Sequence, residues 1–442
     1  MKKILTFALA LAITSSALAQ DQHTPSPENL ASRQEFADSK FGIFLHWGIY
    51  STFAQCEWYL HRGKINHQEY KKAADAFYPH RFNAKEWVAA IKDSGAKYIT
   101  FTSRHHDGFS MWKSAYTEYD IADATPYKRD IIKELARECH KQGIRLHLYY
   151  SHVDWSRDDY PWPTVTKGHR NHRVPDRDHH DGGYANYYKF MNNQLTELLT
   201  KYGKIGAIWF DGYWDQRHNA EKFEWGLDEQ YAMIHRLQPG CLIGNNSHIA
   251  ALPGENFQIF ERDLPGEHKG GHSSKEQTVS HKLPLETCQT MNKSWGYTVR
   301  DTNYKSLEYL IRYLVSTAGK GANLLLNIGP QPNGELPAAA LERLKGMGEW
   351  MRKYGDTIYG TTAGDIAAQP WGVTTRKGDR LFVHIFDLKE KSLNLPLNCT
   401  VESAHVFDSK APVKFTTTAE GVTLSFDEVP SGTDYIVELK TK

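Results

Sequence analysis

The chain predicts a (β/α)8-like barrel followed by a small C-terminal antiparallel β-sandwich. Three observations carry this reading. Eight short apolar runs, each long enough for a buried strand, are spaced between residues 41 and 328. Amphipathic helical patterns lie between several of them, as in a parallel α/β architecture. Past a helical stretch at 338–354 the pattern changes to short β-type runs separated by turn residues.

In chain order, residues 1–19 read as a secretory leader. Lys2 and Lys3 precede a mostly apolar core at 4–13, and Ala17-Leu18-Ala19 supplies the small-residue cleavage pattern before Gln20. That core is too short to span a bilayer, and no later stretch reaches the length a spanning helix needs. The expectation is an exported protein, periplasmic or extracellular, without a membrane span.

The barrel is assigned to residues 20–360. Its strands are predicted at 41–45, 98–102, 145–150, 207–210, 241–243, 257–260, 287–291 and 323–328. The fifth and sixth are short, which leaves a distorted or incomplete barrel open. A helix at 84–94 groups Trp87, Ala90 and Ile91 on one face. Another at 130–142 groups Ile131, Ile132, Leu135 and Cys139 and stops at Gly143, a fitting C-cap. Stretches 188–199 and 306–318 behave similarly. Segments 162–183, rich in His, Arg, Asp, Gly and Pro, and 267–278 read as long loops. The sandwich, residues 361–442, takes its strands from 381–386, 393–397, 404–407, 413–417, 422–426 and 435–439.

Composition narrows the function classes. Lys and Arg total 53 against 52 Asp and Glu, a net charge of +1, so nothing points to a nucleic-acid or lipid-surface partner. Five widely spaced cysteines without a CxxC pair do not make a disulfide scaffold. The 12 Trp, 24 Tyr and 19 Phe suit the apolar faces and polar rims of sugars, although large cores use them too.

In a barrel, chemistry gathers at the C-terminal ends of the strands. Those ends carry His46-Trp47, Arg104-His105-His106-Asp107, Tyr149-Tyr150-Ser151, Asp211, Asn245-Asn246, Glu261 and Asn327. Two reactions fit. In one, His46, His105, His106 and Asp211 hold a divalent metal that activates water. Adjacent side chains of a strand face opposite ways, and the run matches no spaced metal motif, so no metal is assigned. In the other, Asp211 and a second carboxylate flank a glycosidic bond. Glu261 closes its apolar run as Asp211 closes its own, which favours it. Glu286 precedes its run, placing it nearer the wrong end, and Glu255 precedes its strand altogether.

At this point the residues resemble a known family. Phe41-Gly42-Ile43-Phe44-Leu45-His46-Trp47-Gly48, Glu57-Trp58-Tyr59, His105-His106-Asp107-Gly108-Phe109 and Tyr149-Tyr150-Ser151 occur in order. Trp209-Phe210-Asp211-Gly212, Ser294-Trp295-Gly296-Tyr297 and Asn323-Leu324-Leu325-Leu326-Asn327-Ile328-Gly329-Pro330 follow. Together they are similar to the family-29 α-L-fucosidases from about residue 27 to 370. The resemblance implies a retaining mechanism without metal or organic cofactor, acting on a fucosylated oligosaccharide or glycoconjugate. It makes Asp211 the nucleophile, sets His46, Glu57, Trp58, His105, His106 and Tyr149 around the sugar, and puts Trp295 at its apolar side. The acid/base stands at Glu261 in some members and at Glu286 in others. Many members carry Asn-Asp-Arg after the fifth strand, where this chain reads Asn245-Asn246-Ser247-His248.

The expected function is therefore an exo-acting, retaining α-L-fucosidase. Its rivals are a non-catalytic carbohydrate-binding protein on the same fold and an exo-glycosidase with galactose-like specificity.

Overall fold

The computed structural model describes residues 24–161, 183–217, 222–270, 272 and 275–442. The leader at 1–19 and nearly all of the His-rich stretch at 162–183 lie outside the described residues. Eight parallel strands form one sheet: β1 (Phe41–Leu45), β2 (Tyr98–Arg104), β3 (Arg145–Ser151), β4 (Ala207–Asp211), β5 (Leu242–Asn245), β6 (Gln258–Glu261), β7 (Leu285–Thr290) and β8 (Ala322–Ile328). The order β5-β4-β3-β2-β1-β8-β7-β6 is that of a barrel, open between β5 and β6. The distortion allowed by the short fifth and sixth runs falls at this seam. Asn256 bridges it: its Oδ1 accepts from Ile243 N at 2.9 Å and its own N–H donates to Ile243 O at 2.7 Å. Gly244 leaves room there for the Phe257 ring, which a Cβ would meet at 2.4 Å.

Alternation along each strand separates two cores. Ile43, Ile99, Leu148, Ile208, Ile243 and Leu326 face outward and pack with the surrounding helices. Phe44, Tyr98, Tyr149, Ala207, Trp209, Ile259, Cys288 and Leu325 fill the interior. Phe36 belongs to the interior set and plugs its lower end, its ring 5.4 Å from Tyr98 and 4.8 Å from Phe257. It comes from the helix Pro27–Ser39, which apolar periodicity does not reveal because only Asn29, Phe36 and Ser39 are buried. The local signal was the Ser26 cap, whose hydroxyl accepts from Asn29 N, followed by proline at the first helical position.

β7 begins two residues earlier than its apolar run suggests. Glu286 therefore lies within the strand, not before it. The polar residues Glu286, Gln289 and Thr290 hide this strand from a reading based on continuous apolarity. A helix at Leu227–Leu237, between β4 and β5, is likewise additional to those expected.

The helix Ala338–Tyr354 closes the barrel, and two antiparallel sheets follow. One has five strands, in the order β13 (Val401–Val406), β16 (Tyr435–Thr441), β11 (Arg380–Ile385), β10 (Gly372–Lys377) and β9 (Thr362–Ala363), and the other three, β12 (Ser392–Leu395), β15 (Gly421–Ser425) and β14 (Lys414–Thr418). The strands β9 (Thr362–Ala363) and β10 (Gly372–Lys377) join the expected set. Val373, Phe382, Phe407 and Ile436 of this unit share the barrel's outer core. Arg312, on the helix Leu307–Gly319, donates to the carbonyls of Phe386, Gly432 and Thr433. All five cysteines are free thiols. No helix of the described residues is long and apolar enough to cross a membrane.

Candidate active site

Asp211 is the last residue of β4 and points into the barrel mouth, because it shares the inward parity of Ala207 and Trp209. Three donors hold its carboxylate: Gly212 N and Trp214 Nε1 reach Oδ1, each at 2.8 Å, and Tyr149 OH reaches Oδ2 at 3.0 Å. Gly212 (φ +102) makes this turn possible; a Cβ there would also strike Val153. Burial and the charge of Glu261 push the Asp211 carboxyl up to about 7.

Glu261 ends β6 and lines the same cavity, of about 900 Å³, as Asp211, within the usual size of small-molecule sites. Asn246 Nδ2 donates to its Oε2 at 2.9 Å. Burial acts to raise its proton affinity. His248, His272, the Asn246 hydrogen bond and Arg262 outweigh that and hold it below the usual carboxylate range.

Glu286 does not reach this cavity. The β6–β7 register pairs Glu261 with Cys288 and Ile259 with Glu286, so Glu286 sits one inward layer lower. There it is fully buried and accepts from Tyr98 OH at 2.7 Å and Trp209 Nε1 at 2.8 Å. Its carboxylate ties three strands together inside the barrel. Glu255, also buried, is absent from the cavity lining.

The other expected residues converge. His46, Glu57, Trp58, His105, His106, Tyr149 and Trp295 all line the cavity. Asn327 orients two of them: its Nδ2 donates to Trp295 O at 2.8 Å, and its Oδ1 lies 2.6 Å from His46 Nδ1. With the amide nitrogen committed to Trp295, the oxygen accepts, so His46 donates from Nδ1 and keeps Nε2 as an acceptor. Burial drives the His46 imidazole down to about 3, so it is neutral. Ser151 plays the same part for His106. Its hydroxyl donates to Val153 O and lies 2.6 Å from His106 Nδ1, leaving His106 Nε2 turned to Asp211 Oδ2 at 3.6 Å. Glu57 Oε2 accepts from Gly296 N at 2.8 Å, a close approach in which any Cβ at 296 would crowd Glu57 N.

His105 and His106 correct the expectation that strand alternation splays them apart. β2 ends at Arg104, so both histidines lie in the turn beyond it and both reach the cavity. His105 stacks on Tyr149, with centroids 5.2 Å apart and planes 8° from parallel. Burial lowers its proton affinity well below the usual histidine range.

Sequence reasoning missed Trp214, Arg262, His248 and His272, all in the cavity wall. Trp214 had a local signal, lying three residues past Asp211 in the short 3-10 turn Tyr213–Gln216. Arg262 follows Glu261 directly and stacks its guanidinium 5.0 Å from the Trp295 ring. His248 and His272 had none, because their place depends on how the loops after β5 and β6 fold over the seam. Ser247, where many members carry Arg, is buried, and its carbonyl accepts from Arg217 at 3.4 Å.

The chain is similar to known proteins over most of its length. The family model for alpha-L-fucosidases matches residues 10–356. The plasma alpha-L-fucosidase of Homo sapiens is 30% identical over 397 residues, covering 82% of this chain and 78% of that protein. The structure of alpha-L-fucosidase isoenzyme 1 from Paenibacillus thiaminolyticus superimposes with a TM-score of 0.81 at 32% identity, covering 94% of this chain and 100% of that one. A trapped covalent intermediate of a GH29 alpha-L-fucosidase from Bacteroides thetaiotaomicron, formed with 2-fluoro-fucosyl fluoride, gives 0.79 at 28% identity, covering 93% and 96%.

Proposed function

Because this chain belongs to the alpha-L-fucosidase family, we propose that it removes terminal α-L-fucose from fucosylated oligosaccharides or glycoconjugates, with Asp211 as nucleophile and Glu261 as acid/base. The observation that carries this reading is the pairing of the two carboxylates across one cavity, each at the end of its own strand. In the first step an Asp211 oxygen bonds to the anomeric carbon as the C–O bond to the aglycone breaks, and the Glu261 proton passes to the departing oxygen. In the second, Glu261 takes a proton from water, whose oxygen bonds to the anomeric carbon and releases Asp211 as a carboxylate. Two inversions give net retention.

The donors on Asp211 matter at both stages. They keep one carboxylate oxygen aimed at the sugar and stabilise the charge that returns when the intermediate breaks down. His46, Glu57, His105 and His106 supply the polar groups that fucose hydroxyls need, since a buried hydroxyl left unpaired costs roughly 1–3 kcal/mol. Trp295 offers an apolar wall for the C–H face and methyl. Burying a methyl contributes only about 0.8 kcal/mol, so discrimination against galactose-like sugars on that basis is modest.

The leader-like residues at 1–19 support export as the setting for this activity. The test is a screen of aryl glycosides followed by fucosylated oligosaccharides of defined linkage. Hydrolysis of the α-L-fucoside with α-L-fucose as first product is expected. Binding without turnover would favour a carbohydrate-binding protein, and a preference for the galactoside would move the substrate class.

A further inference from the structure

We propose that His248, Glu261 and His272 form a binding site for a zinc-class divalent cation, and that occupancy of this site switches off hydrolysis. The residues come from three separate stretches: the loop after β5, the end of β6, and the connection between β6 and β7. Each offers a ligand atom, and the three atoms lie within 4.8 Å of one another, the one such cluster among the described residues. His248 Nε2 is 3.7 Å from Glu261 Oε2, and His272 Nε2 is 3.8 Å from Glu261 Oε1.

Ligands about 2.0–2.2 Å from a tetrahedral zinc stand about 3.3–3.6 Å from one another. With one oxygen of Glu261 as ligand, the three atoms already lie within 4.8 Å of one another, and the side chain of His272, 41% exposed, has room to close the remainder. Two imidazoles and a carboxylate with a fourth position open to water are a donor set typical of zinc and of the neighbouring transition metals, not of magnesium or calcium. The carboxylate is oriented from behind by Asn246, as ligating carboxylates commonly are. Arg262, whose charge also acts on Glu261, donates to Lys293 O at 2.9 Å and stacks against the Trp295 face.

The consequence rests on the reading of Glu261 as acid/base. A carboxylate bound to a cation can neither give a proton to the aglycone oxygen nor take one from water. The ion would act as a reversible inhibitor, competing with protons for Glu261 and with the aglycone for space above it.

The experiment uses the full chain, freed of metal by chelator and dialysed. Zinc chloride is titrated against it by calorimetry, and cobalt chloride by visible absorption, in parallel with aryl fucoside hydrolysis. One equivalent should bind, hydrolysis should fall at least about tenfold, and EDTA should restore it. His272→Ala and His248→Asn should each weaken zinc binding about 10-fold or more, with folding checked by thermal unfolding. Asn suits the second site because His248 has φ +59. Each variant is scored on its ratio of activity with and without zinc, so a change in its metal-free rate does not confuse the outcome. The proposal is overturned if no stoichiometric binding occurs or if both folded variants bind zinc as the parent does. Zinc binding in a chain that hydrolyses no fucoside keeps the site and removes the role of Glu261. Zinc binding without inhibition keeps the site and removes the switch.

Discussion

Asn327 lies 2.6 Å from His46, its Oδ1 accepting the Nδ1 proton, while its amide nitrogen holds the backbone of Trp295. One side chain at the end of β8 thus sets both the tautomer of a polar sugar contact and the position of the apolar wall. Asn327→Leu leaves His46 Nδ1 without its buried acceptor and frees its ring. We expect kcat/KM on an aryl fucoside to fall about 10–100-fold, the equivalent of about 1.5–3 kcal/mol. Asn327→Asp, which keeps the acceptor, should recover part of that loss. A Leu variant as active as the parent sinks the positioning role.

Asp211→Ala should lower turnover by a factor on the order of 10^4–10^6, the scale seen when a covalent nucleophile is deleted. The fold should survive, since the residue sits at the barrel mouth and burial already disfavours its charge. Added azide should yield at most an inverted fucosyl azide, because it attacks from the vacated face. Substantial hydrolysis with retained configuration in this variant would remove Asp211 from the nucleophile role.

Glu261 and Glu286 should separate cleanly. Glu261→Ala should lose about 10^2–10^4 on substrates with poor leaving groups and much less on activated aryl fucosides, whose departure needs little protonation. Glu286→Gln presents an amide N–H to one of two buried donors, Tyr98 OH or Trp209 N–H. It should cost about 1–3 kcal/mol of stability and leave turnover of the folded protein near that of the parent. The opposite pattern, measured by unfolding midpoints and kcat, would hand the acid/base role to Glu286.

The pH profile follows from the same pair. Asp211 is pushed up to about 7 while Glu261 is held below the usual carboxylate range, so between those values the two share one proton. The productive form, Asp211 ionised with Glu261 protonated, exists only there. Activity in kcat/KM should rise with pH as the second proton leaves and fall again above about 7 as the last one goes. Trp214→Phe removes a donor that lowers the Asp211 value, so the alkaline limb should move to higher pH. A limb that stays in place would show that another group controls it.

Much of the site was legible because a barrel converts linear pattern into direction. An apolar run ending in a polar residue marks a strand end, and alternation says which side chains face the mouth. Asp211, Glu261 and His46 are readable as strand ends, whereas Tyr149 is picked out of Tyr149-Tyr150-Ser151 only by the family resemblance. Strands rich in polar residues are harder to read: the apolar run at 287–291 hides the start of β7 at Leu285, although it still sets Glu286 toward the N-terminal end, away from the mouth.

The amino-acid sequence by itself determined the eight strands, the change to a sandwich and the candidate carboxylates, since these rest on local periodicity and on residue types at run ends. Only the tertiary structure decided the vertical register of β6 against β7, the turn that brings His105 and His106 to one side, and the meeting of His248 and His272 at Glu261. Those depend on ladder register and loop closure between residues far apart in the chain. Local pattern sets Glu286 toward the wrong end of its strand, but only the ladder fixes it one inward layer below Glu261, inside the barrel and out of the mouth.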